Sequence, residues 1–265
     1  MWPGGRAPWR IVRGDGPVIA TAIHAGHDVR PEVARYLAVS PEARRREEDP
    51  LTELWTTIGD SSVVVFRSRF EFDLNRPREN AIVKTPEAAW GLDVWQELPP
   101  AEILACSMAE YDAFYHDIQQ LIGRLLLRHG RLLVLDLHSY NHRRHGPAMP
   151  AENPTANPDI NVGTGTMQRE QWAVLVDAFI AALRRARVQE RQLDVRENIK
   201  FLGGHFPRWL HSHYPSNVCV LSIECKKVFM DEWAATAEIG CLNDLRGALF
   251  DATTAARALL LNDGF

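Results

Sequence analysis

Three short apolar runs stand out along the chain, at residues 18–23, 132–137 and 218–223. They are rich in Val, Ile and Leu and lack alternation, which predicts strands buried on both faces. A further strand is predicted over 62–67, with residues 70–74 extending or following it. Between the strands the period becomes helical. From 108 to 129 the stripe Tyr111, Phe114, Tyr115, Ile118, Leu121, Ile122 and Leu125 follows i, i+3, i+4 spacing. Gly130 follows as a C′ residue tolerant of the left-handed conformation. A second helix is predicted over 167–187, burying Trp172, Leu175, Val176, Phe179, Ile180 and Leu183. Thr166 is its expected cap, and Glu170 in the first turn suits the dipole. An alanine-rich helix is predicted over 243–261. Helix followed by strand is the signature of an α/β fold.

The Pro-rich stretches 97–100 and 147–158 read as loops, since apolar periodicity resumes on both sides. No internal repeat interrupts the pattern, so one domain over 1–265 is the economical organisation. Net charge is −4 and Arg44-Arg45-Arg46 is answered by Glu47-Glu48-Asp49, which argues against a nucleic-acid binder. No apolar stretch approaches the ~20 residues that cross a bilayer. Pro3, Gly4 and Gly5 lie where a signal peptide would have its apolar core. Cys106, Cys219, Cys225 and Cys241 show no CxxC spacing and predict reduced thiols in a cytoplasmic protein.

Each apolar run ends on a residue able to bind a metal or move a proton: His24, His138 and Glu224. In open α/β sheets the ligand crevice lies outside the carboxyl ends of the strands. These three residues are therefore expected to converge on one cleft, a pattern that suggests a metal-assisted hydrolase. In His24-Ala25-Gly26-His27-Asp28 the small residues allow a tight turn, and His27 or Asp28 could orient a metal-bound His24. Asp136 shares a face with His138 under a period of two and could fix its tautomer. The alternative is a buried hydrogen-bonded pair without a metal. Pro50 at a helix N1 position would put Asp49 at the N-cap of a segment over 51–58. Asp49 or Glu48 could then supply a carboxylate ligand, which with two histidines leaves zinc one open position for water; a solvated charge run is the competing reading. Arg69 and Arg76 could grip an acidic substrate, Asn75 beside Arg76 adds amide donors, and Arg78 reads as a surface residue. Glu224 needs a partner or a function; Lys226 is its candidate ion-pair partner, and general base its candidate function.

In this order, the strings HAGHD, SRFEFDLNRPREN, LDLHSYNHRR, NVGTGT and IECKK with FMDE resemble the N-formylglutamate amidohydrolase family. The resemblance implies a remote relationship to zinc carboxypeptidases. It implies an α/β fold with a mixed, largely parallel central sheet flanked by helices, a zinc-exopeptidase (phosphorylase/hydrolase-like) architecture. It also implies hydrolysis of a small acidic N-acyl amino acid, typically N-formyl-L-glutamate, with no nucleic-acid or membrane partner. One zinc ion per chain is implied, with His24 and His138 as the first and last ligands. Asn75 and Arg76 resemble the α-carboxylate pair, Glu224 the catalytic glutamate, and Arg69 the arginine that polarises the scissile carbonyl. Carboxypeptidases have HxxE, but here His27 stands at +3. An insertion is inferred that hands the middle position to Asp49, with His27 and Glu48 as rivals. The expected mechanism has zinc lower the pKa of water toward ~7 from ~15.7, Glu224 take its proton, and Arg69 support the oxyanion. Arg143 or Arg144 would recognise the side-chain carboxylate. Two other classes remain: a cysteine hydrolase using Cys225, and a non-catalytic binder of acidic ligands.

Overall fold

A computed structural model describes residues 7–261; Pro3, Gly4 and Gly5 lie outside them, as do residues 262–265. The predicted apolar runs form the middle of a seven-stranded sheet. Its strands are β1 Trp9–Val12, β2 Val18–Ala22, β3 Ser61–Val65, β4 Leu132–Tyr140, β5 Ile160–Gly163, β8 Val195–Glu197 and β9 Val218–Lys226. Two small hairpins lie outside it: β6 Arg187–Val188 with β7 Arg191–Gln192, and β10 Met230–Asp231 with β11 Thr236–Ala237. The order is β1-β3-β2-β4-β9-β5-β8. Strands β3, β2, β4 and β9 run parallel, β1 opposes β3, and β5 opposes β9 while running parallel to β8, giving the mixed, largely parallel sheet that was expected. Every residue of β2 and β4 is buried, as a run without alternation requires.

The helices are α1 Pro31–Ala34, α2 Pro41–Glu47, α3 Ala101–His129, α4 Ala173–Arg185, α5 His205–His213 and α6 Ile239–Leu261. Leu133, Leu135 and Leu137 of β4 pack with α4 and α6 on one face. Leu132 and Val134 pack with α3 and α5 on the other. This period of two sets the chemistry, because Asp136 and His138 continue the α3-side row past Val134. The stripe from Tyr111 to Leu125 is buried as its spacing requires. Among the described residues no helix is long and apolar enough to cross a membrane, and all four cysteines are free.

Several local expectations are corrected. Residues 70–74 form turns rather than a strand, because Glu71 and Asp73 are buried with Phe70, Phe72 and Leu74 and are satisfied by basic side chains and backbone N–H groups. Asp49 is not an N-cap: the helix after it is a 3-10 turn, Thr52–Ile58, capped by Leu51 with φ 73°. The charge run before it is partly α2, opened by Ser40 and Pro41. Thr166 does not cap the second predicted helix, which begins at Ala173 after a 3-10 turn and has no side-chain cap; its hydroxyl bonds His211 Nδ1 instead.

Candidate active site

Beyond the carboxyl ends of β2, β4 and β9 lies a cavity of about 310 Å³, lined by His24, Asp49, His138 and Glu224 among others. Parallel pairing puts Thr21 beside Asp136 and Asp136 beside Ser222, then His138 beside Glu224. Glu224 is also paired in register with Asn161 of β5. His24 sits just past the end of β2, where its carbonyl accepts the Asp49 N–H at 2.9 Å and so fixes the incoming loop.

His24, Asp49 and His138 are all buried, and one ligand atom from each lies within 4.8 Å of the others. Both imidazoles are held from behind. His24 Nε2 is 2.7 Å from Asp73 Oδ1, and His138 Nε2 is 3.0 Å from Asp136 Oδ2, while Thr21 Oγ1 donates to the other oxygen, Asp136 Oδ1, at 3.1 Å. Carboxylates on Nε2 direct Nδ1 of each ring inward and raise its basicity, as metal-bound imidazoles commonly require. His138 Nδ1 lies 2.9 Å and His24 Nδ1 3.5 Å from Asp49 Oδ2. His24 Nδ1 is buried without a hydrogen bond, a cost that a ligand would remove. Two imidazole nitrogens and one carboxylate oxygen make a donor set that suits zinc and leaves a fourth position open. The residues present fit a divalent ion.

The electrostatics point the same way. Burial would raise Asp49, but its bond to His138 and the nearby His24 ring, 3.5 Å away, hold it below the ordinary carboxylate range. Asp73 is likewise held down, burial being outweighed by Arg69 and His24. Burial opposes the charge on His138, yet Asp136 and Asp49 raise its pKa well above the ordinary value. Glu224 is pushed up to about 8, mainly by burial and further by Asp49 and Asp136, with His138 and Arg69 opposing. Among the described residues its side chain makes no hydrogen bond. Lys226, the partner proposed for it, reaches Asp159 Oδ1 at 3.1 Å instead.

Arg69 lines the cavity, its guanidinium 2.8 Å from Asp73 Oδ2 and 4.8 Å from the Trp90 ring. Asn75 also lines it, its Oδ1 accepting the Phe206 N–H at 3.0 Å while its own N–H reaches Asp73 Oδ1 at 2.8 Å. Arg76 is not brought to the cavity wall; it bonds Asp73 Oδ2 and the Ala88 carbonyl. Arg143 is also outside the wall, close to Asp231, whereas Arg144 lines the mouth and pairs with Glu47 at 3.2 Å. Arg78 pairs with Asp112 at the surface. Neither rival ligand joins the cluster. His27 is exposed, and Glu48 is turned to the Ser68 hydroxyl, its pKa pushed up to about 7 by burial. Cys225 is fully buried in the apolar core facing α4 and α6, and burial raises its thiol pKa, so it cannot serve as a nucleophile.

Sequence reading assigned no role to four residues of this region. Asp73 holds His24, Arg69 and Arg76 together. Lys227 Nζ ties β9 to the Arg46 and Glu48 carbonyls and to Asn141, just before Asp49. Trp90 and Lys200 line the cavity. Asp73 and Lys227 lay inside quoted strings, but their partners are distant in sequence and no spacing marks them.

The model of the family described as FGase, N-formylglutamate amidohydrolase, matches residues 16–230. The crystal structure of N-formylglutamate amidohydrolase from Ralstonia eutropha JMP134 superposes with a TM-score of 0.75 at 18% identity, covering 98% of this chain and 100% of that one. A gene product of Agrobacterium tumefaciens superposes at 0.66 with 20% identity, covering 95% of each chain. A putative carboxypeptidase A from Shewanella denitrificans OS-217 reaches only 0.38 at 13% identity, over 95% of this chain and 61% of that one, too distant to carry an argument. No curated protein matches the sequence.

Proposed function

The chain belongs to the N-formylglutamate amidohydrolase family, and from that premise we propose that it is a zinc-dependent hydrolase of N-acyl amino acids, with N-formyl-L-glutamate as its substrate and formate and L-glutamate as products. The observation that carries this reading is the convergence of His24 Nδ1 and His138 Nδ1 on Asp49, with Glu224 on the adjoining strand. His24, Asp49 and His138 would hold the ion. When bound, zinc supplies a Lewis acid and lowers the pKa of water from ~15.7 toward ~7.

The chain's own residues do the rest. Glu224 takes a proton from the attacking water and delivers it to the nitrogen of the leaving amine, a role suited to a carboxyl group in register with His138 on the adjoining strand. Arg69, anchored by Asp73 and stacked on Trp90, donates to the carbonyl oxygen as negative charge develops there. A preorganised donor of this kind contributes about 3 to 4 kcal/mol. Asn75 Nδ2, left available because Oδ1 faces the Phe206 N–H, donates to the α-carboxylate. Arg76 positions Asp73 rather than touching substrate. Formate release from N-formyl-L-glutamate by the zinc-loaded protein tests the reading. Abolition by chelation and return with zinc support it; turnover unaffected by chelation contradicts it.

A further inference from the structure

The motif Asn161-Val162-Gly163-Thr164-Gly165-Thr166 has no part in the chemistry above, yet it is built around one segment of the cavity wall. Asn161 is fully buried, and its Oδ1 accepts the backbone N–H groups of Ile199, Lys200 and Phe201 at 3.0, 2.9 and 3.4 Å. Its Nδ2 donates to the Phe201 carbonyl at 2.8 Å, closing the bracket. A Cβ on Gly163 would lie 2.9 Å from Gly203 N and 3.0 Å from the Phe201 carbonyl oxygen, so only glycine lets this segment approach. The Gly165 N–H donates to the Leu202 carbonyl at 2.8 Å. Since Asn161 is also in register with Glu224, the motif fixes the wall relative to that carboxylate.

Lys200 stands on this bracketed segment and lines the cavity. Its ammonium donates to Asn157 Oδ1 at 2.8 Å and lies 5.4 Å from the Tyr140 ring and 5.8 Å from the Phe201 ring. These partners orient the charge but, among the described residues, leave it without a contacting carboxylate. The other basic groups of the wall are engaged: Arg69 by Asp73, Arg144 by Glu47, and Lys227 by three oxygens. A lysine has three donors, and a neutral amide uses one of them.

We propose that Lys200 is the specificity-determining residue of the cavity, its ammonium receiving the distal carboxylate of a dicarboxylic amino acid, with Asn161 positioning it. The inference rests on the functional reading above in taking this cavity as the substrate site. It replaces Arg143 and Arg144 in the role of side-chain recognition.

Calorimetry on the metal-replete protein with L-glutamate and L-glutamine, which differ at the distal group by charge and not by size, tests it without requiring turnover. The wild type is expected to bind glutamate about tenfold more tightly, the scale of one charge-assisted hydrogen bond. Lys200→Met should bring that ratio close to one, and Lys200→Arg should restore most of it. No glutamate preference in the wild type, or a preference that Lys200→Met leaves intact, overturns the proposal. A preference that depends on Lys200 in a protein that releases no formate supports the ligand assignment while refuting the hydrolytic reading, so the two are separable.

Discussion

Two clusters of charged side chains lie buried in this protein, and they are satisfied in opposite ways. In one, Arg30 Nε reaches Glu71 Oε1 at 2.6 Å, the Arg30 N–H reaches Oε2 at 2.9 Å, and Ser107 Oγ adds a bond at 3.2 Å. Beside it Arg67 grips Glu110 with two parallel bonds of 2.8 Å. Two guanidinium groups face two buried carboxylates, with the more exposed Glu32 also on Arg30 at 2.9 Å, and the network ties residues 30–32 and the 67–71 turn to α3. In the other cluster Asp49, Asp73, Asp136 and Glu224 surround two imidazoles, while Arg69 and Arg76 both bind Asp73. Among the described residues His24 Nδ1 is without a hydrogen bond there, and the Glu224 side chain makes none. Burial alone is therefore no mark of function. Coordination left unused in a buried cluster is, because such a group costs stability unless something binds it.

The sharpest way to break the comparison is to remove the group that the second cluster leaves unpaired. Glu224→Gln should lower kcat by about 10²- to 10⁴-fold, the range for a general acid–base, with zinc content unchanged by metal analysis. In the first cluster the same kind of change should strike stability instead. Glu71→Gln or Arg67→Met leaves a buried charge uncompensated and should cost about 3–5 kcal/mol in denaturant unfolding, while kcat per folded molecule falls by far less than in Glu224→Gln, because neither residue lines the cavity. If Glu71→Gln instead spared stability and destroyed turnover, the two clusters would have been assigned the wrong way round.

A third buried ionisable group sharpens the contrast by lying among neutral partners. His211 accepts the Val220 N–H on Nε2 and faces the Thr166 hydroxyl on Nδ1, and burial pushes its pKa down to about 4. The unfolded histidine titrates near 6.5. Between pH 6.5 and 4 the unfolded chain therefore binds more protons, and stability must fall as pH falls. The contribution is fully present above pH 6.5, amounts to about 3 kcal/mol, and is lost on approaching pH 4. Unfolding curves of wild type and His211→Gln should converge across that window; parallel curves would contradict it. The smallest expected effect is at the orienting carboxylate of His24. Asp73→Asn should weaken zinc binding roughly ten- to hundredfold, as other such partners do, measured by competition with a chelator.

The same contrast explains what the sequence made legible. The three strands that lead to His24, His138 and Glu224 announce themselves because both faces are largely apolar and the runs are too short for a buried helix. Strands β5 and β8 do not, since four and three residues beside Pro158 and Gly163 give no period to read. The residues 70–74 imitate a strand because Phe70, Phe72 and Leu74 alternate with Glu71 and Asp73, and no local pattern reveals that the acids are buried too. Asp136 was readable from the period of two, two residues before His138. The role of Asp73 was not, because it depends on His24, 49 residues away. Asp49 was one of two carboxylates, with Glu48, offered by the charge run, and the family resemblance singled it out; its helix-capping rationale proved mistaken even though the side chain arrives at the cluster. Lys200 gave no signal, since what distinguishes it is the absence of a contacting carboxylate.

The central claim is that His24, Asp49 and His138 together hold one divalent ion that the reaction requires. Metal analysis of the purified protein and of the Asp49→Ala and His138→Ala variants, paired with formate release, tests it most directly. The account predicts one zinc per wild-type chain, lost together with turnover in both variants. Full formate release from a protein carrying no metal, or zinc retained at one per chain in both variants, would contradict it.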